Sequence, residues 1–263
     1  MSTDRPKRSV ADIAPIAALF ADRTRARIVG ALVDGRSLPA SVLAQESGVS
    51  ASTTSEHLSR LVDGGVLAVE QSGRHRYFRL ANADVAAAVE ALAVIAPQPP
   101  VTSLRQSTTS AAVRRARTCY DHLAGRLGVA VTESLLARDA LVRIDGVPGT
   151  GRADGDRLAA GLREHPYQLG PSAAGVFGEL GVDVDALEHR PRTRRPMLRF
   201  CVDWSEQRHH LAGGLGAELL RAMVAADWVR RSTSRRAVEL TEDGSIALHA
   251  HLGIVGGDLR QSA

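Results

Sequence analysis

The chain has 263 residues, 44% hydrophobic and 24% charged, a globular composition that excludes a disordered or fibrous protein. Its formal charge of +4 suits a nucleic-acid partner without identifying one. Two cysteines, Cys119 and Cys201, exclude a disulfide scaffold. Aromatic residues make up 3%, so the core must be built of Ala, Leu and Val, which favours helices. Lys7 is the only lysine. Arginine's fork suits phosphate and guanine, although a GC-rich genome would give the same bias. The opening MSTDRPKRSV lacks the apolar stretch of a signal peptide. The apolar run 85–96 is interrupted by Glu90 and is too short to span a bilayer. The expected location is the cytoplasm, on the nucleoid, with no membrane partner.

After an N-terminus (1–11) expected to be flexible, a short apolar segment runs over 13–19. TRARIVGAL (24–32) follows, with Ile28, Val29 and Leu32 at helical spacing. Ser37 is a candidate cap for a helix in LPASVLAQES, ending at Gly48. Ser50 or Ser52 then caps ASTTSEHLSRLVD. Leu58, Leu61 and Val62 form its buried face, and Asp63-Gly64-Gly65 ends it through a left-handed cap. The alternating runs VLAVEQ and RYFRLA read as strands joined by Ser72-Gly73-Arg74-His75. Ser52, Thr53, Thr54, Ser55, Glu56 and His57 crowd the start of the second helix. A helix lying against a polar partner would carry such residues. A helix, a turn and a second helix place that second helix to enter a major groove. The basic hairpin tip can then reach phosphate or the minor groove.

DRTRARIVGAL (22–32) and LAQESGVSASTTSEHLSRLVDGGVLAVEQSGRHRYFRL (43–80) resemble the ArsR family of bacterial winged-helix repressors. Ser55-x-His57-Leu58 with Leu61, then GGVL and GRHRYFRL, carry the resemblance, which covers 12–96. It implies a homodimer that binds an inverted repeat in double-stranded DNA, with the first helix and the post-wing helix (84–96) making the dimer. The family's familiar metal sites are missing: no thiol lies in Leu38-Pro39-Ala40-Ser41-Val42, and DVAAAVEALAVIA has Asp84 but no histidine.

Residues 97–117 read as a linker, Pro-rich at its start and helix-compatible at its end, where Arg114, Arg115 and Arg117 form either a solvated face or a second DNA contact. The chain then repeats itself. CYDHLAGRLGVAVTESLLARDALVR (119–143) and CVDWSEQRHHLAGGLGAELLRAMVAADWVRR (201–231) share C-x-D, HLAG-x-LG and a Leu-Leu helix. The second copy carries six extra residues, 204–209, between C-x-D and HLAG. Each unit reads as helix–helix–strand–hairpin–strand–helix, a degenerate winged helix. The two pair as a C-terminal effector domain over 118–257, with halves at about 118–187 and 200–257. This tandem arrangement looks like that of a longer subgroup of ArsR-type regulators. The fold class expected is mainly α with small β-hairpins (α+β).

Cys119, Asp121 and His122 lie in one copy; Cys201, Asp203, Trp204, His209 and His210 lie in the other. They are the candidate sensor residues, and several readings stay open. The cysteines and histidines are structural, with Asp203 and Glu206 as a capping pair. Or Cys119 and Cys201 form a thiol switch, if close enough. Or Cys119 and His122, three apart on a helix, join Cys201 and His209 (or His210) around zinc. A small organic effector would instead sit among Trp204, Trp228, Tyr120, Tyr167 and Phe200. No cofactor is otherwise expected. The basic loop 188–199 reads as a solvated connector or, alternatively, as a contact for DNA backbone or an anionic ligand.

The residues thus describe a DNA-binding regulator, not an enzyme, and the resemblance implies a homodimeric repressor, expected to be released by an effector or redox signal in the C-terminal domain. Ser52, Thr53, Ser55 and Glu56 are candidates for base-edge contact, and Ser50 belongs to the same DNA-binding set. His57, Arg60, Arg74, His75 and Arg76 are candidates for phosphate or wing contact. The alternatives are a Cys/His-dependent enzyme, which no nucleophile motif supports, and a protein-binding winged-helix scaffold.

Overall fold

A computed structural model describes residues 11–72, 75–97, 111–153, 156, 160–162, 164–189, 196–231, 236–257 and 259. The expectations for the N-terminus, most of the linker, the wing tip at Gly73-Arg74 and the centre of the basic loop lie outside these residues. The chain divides into two units, residues 1–32 with 37–82 and residues 33–36 with 83–263.

In the first unit α1 (Ala14–Phe20) and α2 (Arg23–Leu32) lead to strand β1 (Leu38–Pro39). Helices α3 (Ala40–Ser47) and α4 (Ala51–Asp63) follow, then strands β2 (Leu67–Ser72) and β3 (His75–Leu80). The helix expected from Ser37 begins later. Leu38 and Pro39 pair with Phe78 and Tyr77, because a residue before proline is pushed into extended backbone. Pro39 therefore stands at the N-cap position with no side-chain cap. Gly48 closes α3 at φ 73°, which turns the chain into α4. The antiparallel sheet has the order β1-β3-β2. Ile28, Leu32, Leu43, Leu58, Leu61 and Phe78 are buried in this unit.

The second unit begins with α5 (Ala83–Ile95). Its one interior acid, Glu90, is buried and ion-paired to Arg236. Two similar runs follow. The first is β4 (Arg117–Cys119), β5 (His122–Ala124), α6 (Gly125–Ala137), β6 (Leu141–Arg143), β7 (Ala160–Gly161), β8 (Tyr167–Leu169), α7 (Ala173–Glu179) and α8 (Val184–Glu188). The second is β9 (Arg199–Val202), β10 (His209–Ala212), α9 (Gly213–Ala225), β11 (Val229–Arg231), β12 (Val238–Leu240) and α10 (Glu242–Leu252).

Each run opens on a β-hairpin, not on the two helices expected. Cys119 and His122 are therefore not neighbours on a helix. They face each other across β4 and β5, with Tyr120 at φ 59° in the turn. Gly125 and Gly213, at φ 76° and 74°, open the helices that follow the hairpins, at points where a Cβ would strike backbone carbonyls.

Helix α6 packs on β10 as well as on its own β5, and α9 packs on β5 as well as on its own β10. The glycines of HLAG-x-LG make room for this. A Cβ on Gly128 would lie 3.7 Å from His210 Cβ, and one on Gly216 would lie 3.3 Å from His122 Cβ. Thr132 in α6 accepts a hydrogen bond from the Leu211 amide at 2.9 Å. Leu127, Leu135, Phe177, Phe200, Leu215 and Leu220 are buried in the shared core.

Candidate nucleic-acid interface and a buried cysteine–histidine cluster

Helix α4 has two faces. Thr54, Leu58 and Leu61 are buried, whereas Ser52, Ser55, Glu56, Ser59 and Arg60 are exposed. Ser50 is its N-cap and accepts from the Thr53 amide at 3.2 Å. The Ser50 and Thr53 hydroxyls are 2.9 Å apart, so both serve the cap. Thr54 does not belong to the polar face: its hydroxyl donates back to the Ser50 carbonyl at 2.8 Å. That local bond lets a hydroxyl go into the core. His57 is half-buried, with Nδ1 3.8 Å from Asp22, which turns it toward α2 and away from a free surface. In the wing, Ser72 pairs with His75 across the tip. His75 and Arg76 are exposed, and the Arg76 guanidinium lies 5.3 Å from the Phe78 ring centre. Arg74 falls outside the described residues.

The sensor candidates come together in the second unit, with one exchange. Cys119, His122, Cys201 and His210 are all buried, and their ligand-type atoms lie within 4.8 Å of one another. Each hairpin supplies one cross-strand pair: Cys119 opposite His122, and Cys201 opposite His210. His209 is not part of the cluster. Side chains alternate along a strand, so His209 points the other way. Its Nδ1 accepts from the Tyr167 hydroxyl at 2.8 Å and its Nε2 donates to Asp156 at 2.8 Å. The repeat itself carried the signal, since the second HLAG begins at His210.

The imidazoles of His122 and His210 stack with centroids 5.1 Å apart, and their Nε2 atoms are 3.2 Å apart. His122 Nδ1 lies 3.4 Å from Asp121, and His210 Nδ1 lies 3.6 Å from Asp203. Burial drives the His210 pKa down to about 3, against the pull of Asp203. No disulfide joins the two cysteines. A hydrogen bond with Cys201 and burial push the Cys119 thiol well above its ordinary pKa. This is the reverse of an activated nucleophile, which needs a stabilised thiolate.

Asp203 caps no helix. Its Oδ1 accepts from Ser205 and Glu206, and its Oδ2 accepts from Arg117 at 2.9 Å and from the Gly125 amide at 2.7 Å. Burial alone would raise the Asp203 pKa; Arg117 and His210 outweigh it and hold the carboxyl well below the usual range. Arg117, expected on a solvated helix face, is buried instead. It lies 4.6 Å from the Trp204 ring centre. A basic run reads as solvated unless its acid is known, and this one is 86 residues away. The aromatic residues do not form one pocket. Tyr167 stacks on Phe200 at 4.0 Å, whereas Trp228 stacks on His251 at 5.7 Å.

A helix, a turn, a second helix with an exposed polar face and a two-stranded wing define a winged helix-turn-helix DNA-binding protein. Residues 20–70 match the helix-turn-helix domain family. The chain is 37% identical over 243 residues to the HTH-type transcriptional regulator YdfF of Bacillus subtilis, covering 92% of this chain and 98% of the relative. It belongs to this family of HTH-type transcriptional regulators and is a DNA-binding regulator of transcription. Among solved structures, the cadmium metal-sensor CMTR from Mycobacterium tuberculosis is 34% identical, with 34% of this chain and 98% of that one covered and a TM-score of 0.28. Reduced HlyU from Vibrio cholerae is 24% identical over 32% of this chain and 88% of that one, with a TM-score of 0.30. Among the described residues, no helix is long and apolar enough to cross a membrane.

Proposed function

We propose that the protein is an ArsR-type homodimeric repressor that binds an inverted repeat and is released by an effector or redox signal received in the C-terminal unit. The observation that carries the DNA reading is the division of α4. Ser52, Ser55, Glu56 and Arg60 stand exposed on a helix whose opposite face, Leu58 and Leu61, is locked into the core. Ser52, Ser55 and Glu56 are assigned to base edges, and Arg60, His75 and Arg76 to phosphate. Ser50 and Thr53 support the helix start that presents them.

Dimerisation is supported by apolar surface on the two helices assigned to it. Helix α1 has no buried residue, and Ile13 and Ile16 are exposed, as are Leu92 and Ile95 of α5. Two protomers would place two recognition helices about one DNA turn apart.

The test is binding of the full chain to DNA from its own promoter region across a range of salt. Arg76→Ala should weaken binding to all sequences and reduce the salt slope by about 1. Glu56→Ala should change which sequences are preferred. Undiminished binding by Arg76→Ala with unchanged sequence preference in Glu56→Ala, or no promoter binding by the parent protein, would refute the assignment. A monomer at the concentrations that bind DNA would refute the dimer.

A further inference from the structure

From the arrangement of Cys119, His122, Cys201 and His210 we infer that the two repeats jointly bind one tetrahedral zinc-class ion, two ligands from each hairpin. This goes beyond the DNA-binding reading and does not depend on it.

Four observations carry it. First, two thiols and two imidazoles converge in a buried place, with all four donor atoms within 4.8 Å. Two sulfur and two nitrogen donors select a tetrahedral zinc-class ion over calcium or magnesium, which take oxygen ligands.

Second, the spacing of the imidazoles fits a shared ion. Two nitrogens each about 2.05 Å from a tetrahedral centre stand about 3.3 Å apart. His122 Nε2 and His210 Nε2 are 3.2 Å apart.

Third, the outer nitrogens are provided for. With both Nε2 atoms on a metal, both Nδ1 atoms carry protons and need acceptors. Asp121 faces one and Asp203 the other. Carboxylate–histidine–metal arrangements of this kind orient ligands and raise their basicity. The His210 Nδ1 is buried and Asp203 stands 3.6 Å from it, so the proton that ligation through Nε2 fixes on Nδ1 is directed at a carboxylate.

Fourth, the site is built twice. Cys and His face each other at equivalent register positions in β4–β5 and β9–β10. Gly216 clears space beside His122 and Gly128 beside His210. Core packing alone does not ask for the same thiol–imidazole pair in both hairpins. Four protein ligands fill a tetrahedral shell, so the ion would fasten the halves and leave no position for a substrate. Binding displaces the two thiol protons to solvent, and no oxidant or reductant takes part.

The experiment is titration of the full-length, reduced, chelator-stripped protein with Co2+ and then Zn2+, without DNA. The expected result is one Co2+ per chain, with tetrahedral visible bands and a near-ultraviolet thiolate-to-cobalt band, all lost when Zn2+ is added. Cys119→Ser and His210→Gln should each weaken Co2+ binding by more than about 100-fold. His209→Gln should keep the parent spectrum. Circular dichroism checks that the variants fold, and where one does not, the parent spectrum decides. Absence of the thiolate band in the reduced parent, or its persistence in Cys119→Ser/Cys201→Ser, would overturn the inference.

Discussion

Arg117 and Asp203 form a salt bridge of 2.9 Å with side chains 1% and 0% exposed. One belongs to the first hairpin, and the other follows the first strand of the second. Removing one member of such a pair leaves a buried charge without a partner and costs about 3–5 kcal/mol. Arg117→Met should lower unfolding stability by that amount in denaturant titration. A loss below about 1 kcal/mol would mean that water reaches Asp203 once the guanidinium is gone.

Gly216→Ala tests the interlocking of the repeats. The new methyl would lie 2.8 Å from the Leu211 carbonyl oxygen and 3.3 Å from His122 Cβ. Overpacking of this kind costs about 1–3 kcal/mol. The His122 ring resonances should move in the NMR spectrum although residue 216 lies in the other repeat. Unchanged stability and unchanged His122 signals would show that the helix and hairpin are not in close contact.

The serines of the recognition helix should separate by role. Ser50 caps α4, so Ser50→Ala should cost about 1 kcal/mol. Ser55 is exposed, so Ser55→Ala should stay within about 0.5 kcal/mol of the parent while weakening promoter binding. Thermal melts of the two variants beside their binding curves measure this directly. Equal melting losses would refute the division.

One part of the acid dependence follows from Asp145. A hydrogen bond from Arg143 holds its carboxyl at about 2, below the ordinary value of about 3.9. A depressed carboxylate contributes stability above the ordinary value, and that contribution fades as pH falls through the folded one. The Asp145 carboxyl carbon should therefore titrate near pH 2. Asp145→Asn should flatten the stability curve between about pH 4 and pH 2. A midpoint near the ordinary value would mean that the pair with Arg143 does not hold in solution.

The winged helix was legible because its signals are local. Capping by Ser50, the spacing of Leu58 and Leu61, and alternation in the wing all act within a few residues. The repeat was legible as text, but its hairpins were not: three-residue strands such as His122–Ala124 are too short to show a period. The Cys and His residues stood out by type, yet their meeting depends on pairings about 80 residues apart. Choosing His210 over His209 depended on the strand face, which one step of register reverses. Burial of Arg117 had no local sign, since nothing near it in sequence names Asp203.

The mutual packing of α6 on β10 and α9 on β5 has a consequence for how the chain reaches this state. Neither repeat closes its own core, so neither forms a stable island while the other is still unmade. The first half must wait, unprotected, until the ribosome has delivered the second. Contacts between distant segments are slow to form because the intervening loop must close first. This unit is therefore the late step of folding, and the exposed faces of its waiting helices are where the nascent protein is most open to aggregation.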